Sequence, residues 1–136
     1  MFTSPSIQFL SQLAKGIAQQ FGPNCEVVVH DLSEGPTDCS LVLIETGHVT
    51  GRKVGDGPSH IVLESLHADR SNLQDHLNYL AKTKDGKVLK CSTIYIRDDT
   101  GKAVGIFAIN YDITLLLSME ETLKAFTATE QPEREP

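Results

Sequence analysis

Lys87-Val-Leu-Lys-Cys-Ser-Thr-Ile-Tyr-Ile-Arg-Asp-Asp-Thr-Gly-Lys-Ala-Val-Gly-Ile-Phe-Ala-Ile-Asn-Tyr-Asp112 decides the fold. β-Branched and aromatic residues fill both arms, and Asp98–Gly101 stands where strands must stop. The stretch is a β-hairpin, with Gly101 free to take the positive φ that a tight turn needs. A four-residue loop, Asp98–Gly101, would set Arg97 opposite Lys102, Tyr95 opposite Val104, Thr93 opposite Ile106, Cys91 opposite Ala108 and Leu89 opposite Asn110. One face then mixes Leu89, Cys91, Thr93, Tyr95, Val104, Ile106, Ala108 and Asn110, a composition suited to a small-molecule pocket. The other is more apolar, with Ile94, Ile96, Ala103, Phe107, Ile109 and Tyr111. A three-residue loop would shift the register by one and bring Ser92 and Ile94 to the mixed face instead.

Working outward, Ser4-Pro5 is a helix start, with Ser4 as cap and Pro5 in the first turn. Ile7, Leu10, Leu13, Ala14, Ile17, Ala18 and Phe21 form a helical stripe, ended by Gly22-Pro23. Cys25–Leu32 and Cys39–Thr46 read as an antiparallel strand pair around a polar turn at Ser33–Asp38. Gly47–Gly57 is a loop with four glycines. It lacks both the Gly-Lys-Ser/Thr of a phosphate loop and the glycine order of a dinucleotide fingerprint. Pro58–His67 is expected to be a short helix. Leu73, Leu77 and Leu80 keep a helical spacing that predicts a second one within Asp69–Lys84. Thr114–Ala128 is a last helix with Leu116, Met119, Leu123 and Phe126 on one side, and residues 129–136 read as a disordered tail or the start of a linker. The order predicts one α+β domain over residues 1–128, built on a single antiparallel sheet.

The chain has 136 residues, enough for one core, with 40% hydrophobic and 22% charged residues. No apolar run approaches membrane-spanning length and no secretory leader is visible, so no membrane association and a cytoplasmic location are expected. A net charge of −6 would repel a polyanion. Three cysteines without a Cys-x-x-Cys, and five histidines without metal-ligand spacing, point away from a disulfide framework, a zinc site or any metal.

Phe21–Leu32, Gly47–Gly55, Asn78-Tyr79, Asp85–Thr93 and Gly105–Ile113 together resemble the YheO-like PAS domain family. The motifs come in the family's order and span about Leu10 to Leu117. Cys91 stands where the family often has serine, and Asp56–His60 is more polar than the family's approach to the following helix. The resemblance implies a PAS-like curved antiparallel sheet with helices over one face and flanking N- and C-terminal helices. It also implies the sensory half of a bacterial transcriptional regulator. Nothing after Phe126 has the pattern of a recognition helix, so DNA contact would belong to a C-terminal helix-turn-helix domain not present in these residues.

The candidate ligand-binding residues are His30, Arg52, Tyr79, Thr93, Tyr95 and Asn110. His30 and Asp31 point to opposite faces of a regular strand, so both cannot meet one ligand; the structural alternative is a core histidine beside a turn-capping aspartate. Arg52 can clamp a carboxylate or phosphate, or pair with Asp56 in a turn-rich loop. Tyr79 is a pocket wall or ordinary core. Asn110 can read a ligand from the sheet, while Asp112 suits the start of the last helix. Cys25, Cys39 and Cys91 read as buried thiols, inert unless a basic neighbour lowers a pKa.

No catalytic signature is present and no enzymatic activity or cofactor is expected. The expected function is ligand sensing and dimerisation: a small polar metabolite would bind between sheet and middle helices and shift the terminal helices of a homodimer. Two alternatives come from other classes: a protein-interaction module with a filled core, and a redox or cofactor sensor.

Overall fold

A computed structural model describes residues 4–33, 40–59, 62–63, 66, 73–130 and 132–136, with the side chains of residues 4 and 5 left aside. The Ser4 cap, most of the Ser33–Asp38 turn, and Cys39, His60 and His67 therefore lie outside what is described. The helical stripe forms α1 (Ser4–Phe21). Five strands follow: β1 (Cys25–Asp31), β2 (Leu41–Glu45), β3 (His76–Lys82), β4 (Val88–Arg97) and β5 (Ala103–Asp112). The chain closes with α2 (Thr114–Thr127). The strands make one sheet in the order β2-β1-β5-β4-β3, with every neighbouring pair antiparallel. First and last strands thus meet at the centre. Both faces there are covered, which explains the unbroken apolar character of Val27-Val28-Val29.

The alternation of β1 and β5 divides the core in two. Cys25, Val27, Val29 and Phe107 face α1 and pack on Ala14 and Ala18. Val28, Ile106 and Ala108 face the other way, with Tyr95, Leu41 and three residues of the middle segment, Val62, Leu66 and Leu73. Val62, Leu63 and Leu66 have helical backbone, as expected for Pro58–His67.

The second expected helix is not what forms. His76–Lys82 is an edge strand paired with β4. His76 lies opposite Thr93 and Tyr79 opposite Cys91, so β3 spends one residue more than its partner over this interval. Asn78 absorbs the excess as a bulge, at a φ of 57° that asparagine tolerates. Leu77 and Leu80 consequently fall on the outward side three residues apart, and both are exposed. A bulged strand imitated a helical repeat.

The hairpin register also differs from the four-residue expectation. Asp98 N–H donates to Lys102 O (2.9 Å), leaving Asp99, Thr100 and Gly101 in the loop. Asp98 Oδ1 gathers the loop by accepting from Thr100 N (2.9 Å), Thr100 Oγ1 (2.6 Å) and Lys102 N (3.1 Å). Gly101 has φ 87°. A loop of this length moves the register by one residue. A second irregularity beside Arg97 moves it by another: Arg97 faces Ala103, but Ile96 faces Gly105, with Val104 as the extra residue. The observed partners are therefore Tyr95 with Ile106, Thr93 with Ala108, Cys91 with Asn110 and Leu89 with Asp112. Two one-residue shifts preserve parity, so Thr93 and Asn110 keep the expected face. Only the hairpin's end changes, where Ala103, not Val104, joins the core.

Candidate ligand-binding site

A cavity of about 820 Å³ opens between the sheet and the residues that follow β2. Its floor is the mixed face of the sheet: Val28 and His30 from β1, Leu89, Cys91 and Thr93 from β4, and Ile106, Ala108 and Asn110 from β5. Its side is the glycine loop, His48 through Arg52, with Pro58 and Val62 beyond. Tyr79 closes it from β3.

Of the six residues expected to bind a ligand, His30, Arg52, Tyr79, Thr93 and Asn110 border this cavity. Tyr95 lies in the neighbouring core instead, its backbone N–H donating to Asp75 Oδ1 (2.9 Å). Tyr79 hydroxyl and Thr93 Oγ1 are 2.7 Å apart, tying the edge strand to β4 through their side chains.

His30 is buried, and its Nδ1 meets Ser40 Oγ at 2.9 Å. Burial, reinforced by the positive charge of Arg52, pushes its pKa down to about 4, so the ring is neutral near pH 7. Asp31 turns away and accepts the Ser33 N–H (2.9 Å), as a turn-capping residue does. Burial also raises Tyr79 and lifts the Cys91 thiol to about 11. Arg52 borders the cavity, and its charge acts to lower the pKa values of His30, Tyr79 and Cys91, as a lesser cause than burial at each. The alternative partner, Asp56, instead accepts the Lys53 N–H at 2.9 Å.

The residue missed by sequence reasoning is Glu26. It is fully buried, and alternation in β1 puts it on the face of Val28 and His30. Oε2 accepts from Thr50 N (3.0 Å) and Thr50 Oγ1 (2.7 Å), and Oε1 accepts from Asn110 Nδ2 (2.9 Å). Thr50 Oγ1 in turn accepts the Arg52 N–H at 3.3 Å. One carboxylate thus joins the glycine loop to the sheet. The available signal was an acid set between Cys25 and Val27, at the start of an otherwise apolar run that ends at Val29. Gly47 lets the same loop close: a Cβ there would lie 3.1 Å from Ile44 Cδ1 and 3.2 Å from Arg52 O. Lys87 holds the loop from the other side, its Nζ donating to His48 O and Val49 O, both at 3.1 Å.

Among the described residues no group of three His, Cys, Asp or Glu side chains converges as a metal site. Cys25 and Cys91 are free thiols. No helix among them is long and apolar enough to cross a membrane.

A five-stranded antiparallel sheet in this order, with a cavity against the face opposite α1, defines the molecule as an α+β domain of PAS type. The family model for the YheO-like PAS domain matches residues 1–128, and the chain belongs to that family. It is 30% identical to YheO of Escherichia coli over 87% of this chain and 48% of that protein. It is 29% identical to the transcriptional regulator DauR of Pseudomonas aeruginosa, over 90% of this chain and 54% of DauR. The chain spans about half the length of these curated relatives. Among solved structures, the PAS domain of the fruit-fly ELK potassium channel aligns with a TM-score of 0.45 and 19% identity, over 74% of this chain and 96% of that one.

Proposed function

We propose that this domain, residues 1–128, is the ligand-sensing and dimerisation unit of a cytoplasmic transcriptional regulator. DNA binding would reside in a helix-turn-helix segment outside these 136 residues. The observation that carries the sensing reading is the cavity, where polar side chains and a cationic guanidinium stand over an apolar floor. Kinship with the transcriptional regulator DauR supports the regulatory part of this reading. The open volume beside Thr93 and Asn110 favours this reading over a module with a filled core. The raised Cys25 and Cys91 thiols weigh against thiolate chemistry. A neutral His30 held by Ser40 reads as a binding group rather than a catalytic base.

The dimer would form through the terminal helices. No residue of α2 is buried, yet it displays Leu116, Met119, Leu123 and Phe126, while α1 displays Phe9, Leu13 and Phe21. A ligand that prefers one arrangement of the Lys87-bound loop would act on α2 through the adjacent Val88.

Native mass spectrometry of the purified protein tests the sensing reading. A retained small molecule, lost in Arg52→Ala, is the expected result. A ligand-free mass, together with a crystal structure in which side chains fill the cavity, would refute it. Sedimentation at high concentration tests the dimer, and a strict monomer would count against it.

A further inference from the structure

The hydrogen-bond polarity of the cavity is set from behind its wall. A carboxylate only accepts, so the group that Asn110 turns toward Glu26 must be its NH2, at 2.9 Å. The amide is then locked with Oδ1 as its remaining group, and among the described residues nothing donates to that oxygen. Asn110 is buried and borders the cavity, so the site offers an acceptor there. The opposite requirement stands at Arg52. It borders the cavity, and among the described residues no carboxylate pairs with its guanidinium. Glu26, the buried acid of the site, already has both oxygens engaged. A guanidinium at a cavity wall, with no carboxylate partner among the described residues, is completed by a planar oxyanion bound through both arms of its fork.

Building on the sensing reading, we propose that the cavity takes a small carboxylate that also carries an O–H or N–H donor, with the carboxylate at Arg52 and the donor at Asn110. Glu26 is the positioning residue that makes Asn110 an acceptor. Val28, Leu89, Ile106 and Ala108 provide an apolar floor for the rest of the molecule. A monoanion suits the site better than a phosphate dianion, because the cavity wall offers one arginine, Glu26 is buried beside Asn110, and the chain has a net charge of −6.

Glu26→Gln tests the polarity directly. Thr50 presents two donors to one end of this side chain, so a glutamine would keep its carbonyl there and turn its NH2 toward Asn110. Asn110 must then reverse and offer its NH2 to the cavity.

Calorimetric titration of the full 136-residue chain with lactate and phenyllactate is compared with their amides, with pyruvate and phenylpyruvate, and with phenyl phosphate. At least one hydroxy acid should bind about tenfold or more tightly than its amide and its keto acid. Arg52→Gln should bring the acid-to-amide ratio to about one. Glu26→Gln should bring the hydroxy-to-keto ratio to one or invert it, an outcome that loosening of the loop would not produce. Equal binding of acid and amide, tighter binding of phenyl phosphate, or binding of no carboxylate overturns the ligand class. A Glu26→Gln variant that weakens hydroxy and keto acids equally overturns the positioning role. The sensing reading stands or falls separately, on the mass of the purified protein.

Discussion

Thr114 Oγ1 accepts the backbone N–H of Val88 at 2.9 Å, joining the entrance of α2 to the start of β4. The same hydroxyl donates to Asp112 Oδ1 (2.6 Å), which also accepts the Thr114 N–H (3.0 Å). The cap position is Ile113, whose side chain cannot cap, so Asp112 does this work from one residue earlier. Val88 is the neighbour of Lys87, whose ammonium holds the glycine loop of the cavity. The cavity side and the root of the exposed helix are thus attached to adjacent residues. Thr114→Val leaves the Val88 N–H without its acceptor, at a cost of about 1–2 kcal/mol. Amide exchange at Val88 should accelerate about tenfold or more while β1 amides change little; an unchanged Val88 rate would mean that this contact is not a tether.

His30 makes stability depend on mildly acidic pH. Burial, then Arg52, lowers its folded-state pKa from 6.5 to about 4, so the unfolded chain binds more protons between those values. The stabilisation is complete above the unfolded pKa of 6.5 and is lost as pH falls toward 4. Urea unfolding at about pH 7.5 and about pH 5 should differ by about 2 kcal/mol from this group. His30→Asn should remove that part of the difference; an undiminished difference would place the effect elsewhere.

Arg52 should be visible in the titration of the same ring. It is the second cause of the His30 depression, after burial. Arg52→Gln should therefore raise the His30 pKa, read from imidazole chemical shifts, and leave it below the ordinary value. No movement would mean that the guanidinium does not reach the cavity.

Burial, then the charge of Glu26, raises both Cys25 and Cys91, the latter to about 11. In a Cys39→Ser background at about pH 8, both thiols should react with Ellman's reagent about a hundredfold more slowly in the native protein than in urea. Fast labelling of Cys91 in the native state would reopen a redox role.

Leu77 is 60% exposed on the outer side of β3, whereas Leu41 is 1% exposed in the core. Leu77→Gln should alter stability by no more than about 0.5 kcal/mol, and Leu41→Ala should cost about 2–5 kcal/mol. A large loss from Leu77→Gln would argue for the helical reading of this segment.

The face assignment of the hairpin was legible because alternation survives any even shift. Thr93 and Asn110 reach the cavity whether the partner of Thr93 is Ile106 or Ala108. The loop length was not legible, since the closing bond from Asp98 to Lys102 and the bulge at Val104 are choices between pairings of similar local propensity. At β3 a left-handed Asn78 set Leu77 and Leu80 at a helical interval, and only pairing with β4 resolves such a segment as strand.

From the sequence alone came α1, the hairpin, the antiparallel α+β class, the family resemblance and five residues that border the cavity. Each rests on a local period or a contiguous motif. Tertiary structure alone decided that His76–Lys82 is an edge strand, that Tyr95 belongs to the core, and that Glu26 lies behind Asn110 although 84 positions separate them in the chain. Those outcomes depend on which distant groups pair once water is excluded. A buried carboxylate must find its donors wherever the fold places them, and no local pattern records where that is.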